Sequence, residues 1–330
     1  MKTILLSILL YCCIGCNGQQ PFGTEHLLLD KSIVLPDVSG RIDHLAINLK
    51  DNTVYVAALG NNTVEVVDLN RGKVIHTIKG LDEPQGVCYL PAQNELVVAN
   101  GGNGNCIFYN ATTYATIATV HLGSDADNVR YDAGTGKLYV GYGNGGIAVI
   151  DATSHQQVNN IPLPAHPESL QIDEKLLRLF VNLPDNNSIG VIDLQTSKLI
   201  TTWKTKSLKA NFPMALDSTG NRVFVGFRQP AILVSYDAVT GKEQSRTTLV
   251  GDADDVFFYE KAQEIFASGG DGFINVFKKE NDTGFIKMAD ISTRSGARTS
   301  LLIPALQTFI VAERAANNKA ATLAVYKIPD

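Results

Sequence analysis

Val54-Tyr55-Val56-Ala57 returns six more times along the chain in altered form. The copies are Leu96-Val97-Val98-Ala99, Leu138-Tyr139-Val140-Gly141, Leu179-Phe180-Val181-Asn182, Val223-Phe224-Val225-Gly226, Ile265-Phe266-Ala267-Ser268 and Phe309-Ile310-Val311-Ala312. Counted at the third residue they fall at 56, 98, 140, 181, 225, 267 and 311, which gives intervals of 42, 42, 41, 44, 42 and 44. Short runs of β-branched and aromatic residues with no polar face read as strands buried on both sides. Seven of them at this period match the four-stranded blade of a β-propeller.

Each repeat divides into four strands. In the third they are expected at Val129–Asp132, Lys137–Gly141, Ile147–Asp151 and Gln156–Ile161, punctuated by the turn residues Asp132–Gly136 and Gly143–Gly146. The third strand of a repeat ends in Asp68, Asn110, Asp151, Asp193 or Asp237, a residue type that closes tight turns by accepting hydrogen bonds from backbone amides two or three residues on. The last repeat ends after its third strand, and Lys31–Leu35 stands ahead of the first repeat as an unmatched fourth strand. The two ends are therefore expected to complete one antiparallel blade together, which removes the exposed edges of an open array. The reading is all-β, with residues 31–330 a single seven-bladed domain. Trp203 falls on a fourth strand and is expected to pack there.

The chain of 330 residues is 45% hydrophobic and 18% charged with net charge −5, enough apolar surface for a packed core. No cluster of Lys and Arg occurs, which argues against a nucleic-acid partner. Residues 1–16 read as an export leader: Lys2 is the positive end, and Ile4–Tyr11 form an apolar run too short to span a bilayer. Cys13-Ile14-Gly15-Cys16 resembles a bacterial lipobox, with Cys13 where Leu is usual, making Cys16 the expected lipidation site. Cleavage near Asn17-Gly18 is the alternative and leaves a soluble periplasmic protein. Residues 17–30 read as a short tether. Cys88 and Cys106 fall on the first and third strands of one blade, about 9–10 Å apart. A disulfide spans at most about 7 Å between Cα atoms, so two free thiols are expected.

The strand Val54–Ala57 followed by Asn61-Asn-Thr-Val-Glu-Val-Val-Asp68 resembles the YVTN-type, YncE-like family of propellers. Glu83–Gly86, Ala99–Gly102, Asp125–Arg130, His166–Ser169, Asn211–Met214 and Gly296–Thr299 fit the same group, and the likeness covers about residues 31–330. The resemblance implies architecture and a periplasmic or cell-surface setting. It implies no reaction.

The residues entering each innermost strand should converge around the central channel. Thirteen positions before each marker lie Asp43, Gln85, Asp127, Glu168, Phe212, Asp254 and Arg298. The next row holds His44, Gly86, Asn128, Ser169, Pro213, Asp255 and Thr299; two positions upstream lie Arg41, Glu83, Asp125, His166, Ala210, Asp252 and Gly296. Across the three rows no two blades contribute the same set of residues, unlike the narrow set at other turns. Asp43, Asp127, Glu168, Asp254 and Asp255 would crowd negative charge on one axis, a cost relieved by Arg130, Arg298 or a cation. Asp127, Glu168 and Asp254, with Asn128, suit Ca²⁺ or Mg²⁺. A transition metal would need His44 and His166, three blades apart. Of the loops between second and third strands, Asn61, Asn103, Asn144 and Asn186 read as turn formers, whereas Arg228 is the expected ligand contact.

No phosphate loop or nucleophile elbow occurs, and the CxxC spacing appears only at Cys13 and Cys16 in the leader. The function expected is therefore an exported, lipid-anchored binding or scaffold propeller. It would act as a monomer on an envelope protein or a small polar ligand. The alternative is a divalent-metal-dependent lactonase in which Asp127, Asn128, Glu168 and Asp254 share the parts of holding the ion and assisting the attacking water, and Arg298 holds an acidic substrate.

Overall fold

The Tyr-Val-Ala-type strands are buried on both faces because each lies between two other blades. In the strand Lys137–Tyr142, Leu138 and Val140 join the apolar cluster shared with the preceding blade, and Tyr139 joins the one shared with the next. The side chains alternate, as strand geometry requires. A computed structural model describes residues 26–281 and 284–329. Residues 1–25 are not among them, so the leader, Cys16 and most of the tether lie outside the described residues.

Seven four-stranded antiparallel sheets surround an axis. Seven apolar clusters fill the seven interfaces between neighbouring blades, so the core is a ring of wedges around an open centre. The third blade has strands Ala126–Asp132, Lys137–Tyr142, Gly146–Asp151 and Gln156–Pro162, each within a few residues of expectation. Its fourth strand is mostly exposed, the pattern of an outer rim. Closure is as the repeat count requires: Leu28–Leu35 pairs antiparallel with Ala321–Lys327 and forms the outer strand of the last blade. This strand begins at Leu28, three residues inside the segment read as tether.

The turn reading holds in every copy. Asp68 accepts from the Arg71 amide at 2.8 Å, Asn110 from Thr112 and Thr113 at 2.9 Å each, and Asp151 from Ser154 at 2.7 Å. Asp193 and Asp237 accept from Thr196 and Thr240 at 2.7 and 2.8 Å. Trp203 packs between Phe180 and Tyr236, with ring centroids 5.5 and 6.3 Å away.

Cys88 and Cys106 are free, on strands separated by Glu95–Asn100. Burial pushes each thiol up to about 12. A raised thiol pKa leaves less thiolate at any pH below it, so at pH 8 the reactive fraction is about a thousandfold below that of an ordinary cysteine. In a variant with Cys12, Cys13 and Cys16 changed to Ser, thiol reagents should therefore label nothing in native buffer and two groups in guanidinium. Rapid native labelling would contradict this burial.

Candidate functional site at the channel mouth

The innermost strand of each blade descends the channel wall, so successive rows of the sequence line successive depths. At the mouth is a cavity of about 420 Å³. The ring residues Gln85, Asp127, Glu168, Phe212, Asp254 and Arg298 line it. The upstream residues Arg41, Glu83, Asp125 and His166, together with Arg228, complete the charged wall. Below lies a smaller cavity of about 210 Å³ that includes His44, Arg130, Gln171 and Asp255. Asp43 and Asn128, both 2% exposed, line neither. Asp43 is held 2.8 Å from Arg41, and Asn128 Oδ1 is buried without a hydrogen-bond donor.

The loops that deliver these groups share an unusual backbone. Glu83, Asp125, Ala210 and Asp252, all from the upstream row, have φ of 51°, 43°, 57° and 50°, and Gly296 has 83°. Left-handed conformation is inexpensive only for Gly and tolerable for Asp and Asn. Its recurrence on non-glycine residues marks loops constrained to turn sharply at the mouth. Beyond these turns, neighbouring strands hold the ring in place. Asn182 Nδ2 donates to the Phe212 carbonyl at 3.0 Å, and Ser268 Oγ donates to the Arg298 carbonyl at 2.7 Å. The Ser300 amide donates to Asp255 Oδ2 at 2.7 Å.

Charge divides the mouth into two walls. On one, Arg298 holds Asp252 at 2.9 Å and Asp254 at 2.7 Å, and Arg228 pairs with the same two carboxylates. The Arg228 guanidinium also lies over the Phe212 ring, 4.0 Å from its centroid. This wall is self-neutral. On the other wall, Asp125, Asp127 and Glu168 meet one histidine. His166 Nδ1 lies 2.5 Å from the Gly143 carbonyl and 3.5 Å from Asp125, and its Nε2 faces Asp127 at 3.9 Å.

The ligand atoms of Asp127, His166 and Glu168 all lie within 4.8 Å of one another, the one such group of three among the described residues. The grouping expected from sequence, Asp127 and Glu168 with Asp254, gives way to one that includes His166, because Asp254 is drawn to the two arginines. His44 also closes on this centre: its Nε2 is 3.9 Å from Asp127 and its Nδ1 4.0 Å from Asp255. Histidines three blades apart thus flank one carboxylate, because the channel is narrow.

Burial, reinforced by Asp127, pushes the Glu168 carboxyl up to about 8, with His166 opposing. Burial pulls His166 down, but Asp127, the Gly143 carbonyl, Asp125 and Glu168 outweigh it and raise the imidazole to about 9. Deeper in, burial raises Asp43 and Asp255 to about 6 each, against the pull of His44. Burial lowers Arg130.

Gln171, Phe257, Leu301 and Arg130 form one further row, three positions beyond the ring, of which sequence reasoning singled out Arg130 alone. Leu59, at the mouth, carried no chemical signal.

Seven blades, closed by the first strand and pierced by this channel, decide the architecture. The chain is a seven-bladed β-propeller. No protein-family profile matches it, and no curated protein matches it in sequence. In fold it is similar to a chain in the crystal structure of a mitotic checkpoint complex: 18% identity, 99% of this chain and 100% of that one covered, TM-score 0.78. It is also similar to a chain of hydrazine synthase from Kuenenia stuttgartiensis: 15% identity, 88% and 96% covered, TM-score 0.74. At such identities the likeness extends to the propeller fold and no further.

Proposed function

We propose that this propeller is an exported binding protein of the YncE-like type, held at the cell envelope by a lipid on Cys16, whose mouth cavity takes a small polar ligand that carries or includes positive charge. One observation carries the ligand reading. The cavity is lined by five carboxylates (Glu83, Asp125, Asp127, Glu168 and Asp254) and three guanidiniums (Arg41, Arg228 and Arg298), and each guanidinium is already paired with an aspartate. The carboxylates left over (Glu83, Asp125, Asp127 and Glu168) outnumber His166, the remaining cationic group of the lining, and favour a cationic guest, since like charges in a confined space are costly without one. Among the described residues no helix is long and apolar enough to cross a membrane.

A metal-dependent lactonase is the second reading, favoured by the grouping of Asp127, His166 and Glu168 beside open cavity space. It is weakened at Arg298, which is engaged by Asp252 and Asp254 and so offers less to an acidic substrate.

Fractionation of the producing cells tests the anchoring: wild type is expected with membranes and Cys16→Ser in the soluble fraction. Membrane retention of Cys16→Ser would remove the lipid from the proposal. Saturable binding of a cationic compound without turnover of any lactone supports the binding role. Lactone turnover that disappears in Glu168→Gln at unchanged melting temperature would replace it with hydrolysis.

A further inference from the structure

We infer that Asp127, His166 and Glu168 form a site for a borderline divalent metal such as Zn²⁺, open on its cavity side, and not the calcium-type oxygen site that the carboxylate ring suggests. The inference rests on the reading of the mouth cavity as the ligand site.

Three observations converge on it. The first is the orientation of His166. Its Nδ1 is bound to the Gly143 carbonyl at 2.5 Å, which fixes a proton there and leaves Nε2, facing Asp127 and the cavity, as the nitrogen that would release its proton to a metal. A metal-ligating histidine is typically fixed in this way, its second nitrogen donating to a carbonyl or carboxylate. The second is Asp127 itself. It is 6% exposed and lines the cavity, yet the nearest cationic atoms are the Nε2 atoms of His44 and His166, each 3.9 Å away and beyond ordinary hydrogen-bond distance. A carboxylate so deeply buried ordinarily has donors within reach. Here its oxygens are turned toward the space that Glu168 and His166 also face. The third is charge: once a metal displaces the protons of His166 and Glu168 the three ligands carry −2, which one divalent ion cancels, and every arginine lining the cavity is committed elsewhere.

The donor set chooses the ion. Calcium takes six to eight oxygens, whereas this group supplies one imidazole nitrogen and two carboxylates, a set suited to zinc and its neighbours. Two ligands of a tetrahedral zinc, each about 2.1 Å from it, are about 3.4 Å apart. The present 3.9 Å between His166 and Asp127 therefore needs to shorten by only about half an ångström. Three protein ligands leave the fourth position toward the cavity, where a guest atom or water completes the shell.

The test uses metal-stripped protein and the metals alone. Titration calorimetry should find Zn²⁺ bound in a manner that His166→Gln and Glu168→Gln each weaken by at least about tenfold. The surface change His121→Gln should leave that binding unaltered, and millimolar Ca²⁺ should not compete. Co²⁺ should give visible bands of a low-coordinate site in wild type that vanish in both site variants. Melting curves of the metal-free variants serve as the folding control, and Glu168→Gln decides if His166→Gln fails to fold. Equal zinc affinity in wild type and variants, or effective competition by Ca²⁺, would overturn the site. Zinc bound here without any organic guest would keep the site and remove the ligand reading. A guest bound by metal-free protein, with zinc binding unaffected by the variants, would do the reverse.

Discussion

Gly86→Ala is expected to destabilise the propeller by about 3 kcal/mol, the upper range for overpacking in a closed core. A Cβ at Gly86 would stand 2.0 Å from the carbonyl oxygen of Asp127 and 3.0 Å from the Val129 side chain. The first of these is backbone of the neighbouring innermost strand, which cannot rotate away. The two strands must therefore separate, and Asp127 moves with its strand. A urea melt reads the loss directly, with Gly134→Ala as comparison, since a Cβ there meets only Asp132 Oδ1 at 3.3 Å. If Gly86→Ala loses no more than Gly134→Ala, the approach of these blades does not govern where Asp127 sits.

Asp254→Ala should have the second large effect, about 2–4 kcal/mol. Removing one partner of a buried ion pair typically costs about 3–5 kcal/mol, because the remaining charge is left without compensation. Here Arg228 and Arg298, whose side chains are only 19% and 18% exposed, would both lose a carboxylate, while Asp252 remains to hold part of each. A double-mutant cycle between Asp254→Ala and Arg298→Ala should then show coupling of about 1 kcal/mol or more. Strict additivity would mean that the network contributes nothing, and the self-neutral wall would lose its physical basis.

The architecture was legible because its signal is redundant. A strand such as Leu138–Gly141, buried between two blades, must be apolar at every position, so seven copies stand out above ordinary alternation. The channel ring was legible for a related reason: the period sets the depth of each residue, and counting back from the marker finds Asp127, Glu168 and Arg298 at one level. What the period does not carry is direction. Arg228 comes from a hairpin at the mouth and reaches Asp254 of the next blade, and together with Arg298 it withdraws Asp254 from Asp127. His166 sits two positions before Glu168, and whether its ring turns inward depends on the Gly143 carbonyl of another blade. The left-handed residues Glu83, Asp125 and Asp252 left a trace in the sequence, acids where a turn would otherwise favour glycine, but the trace is readable only once the turns are placed. Gln171 was hidden because its row holds Ala, Cys, Phe and Leu in other blades, which masks it as packing.

The course of the closing strand also has a consequence for what the site can sample. Leu28 pairs with Lys327, Lys327 with Thr308, and Thr308 with Ile303, all at the end of the last blade away from Arg298 and the mouth. Leu35, paired with Ala321, is at the mouth end. The chain therefore joins the propeller on its far face. With the anchor proposed above, the shortest path to the bilayer leaves from that side and turns the opening outward, toward the aqueous phase. Guests of the cavity would then be captured from solution, as water-soluble molecules arriving by diffusion, and not drawn from the membrane itself.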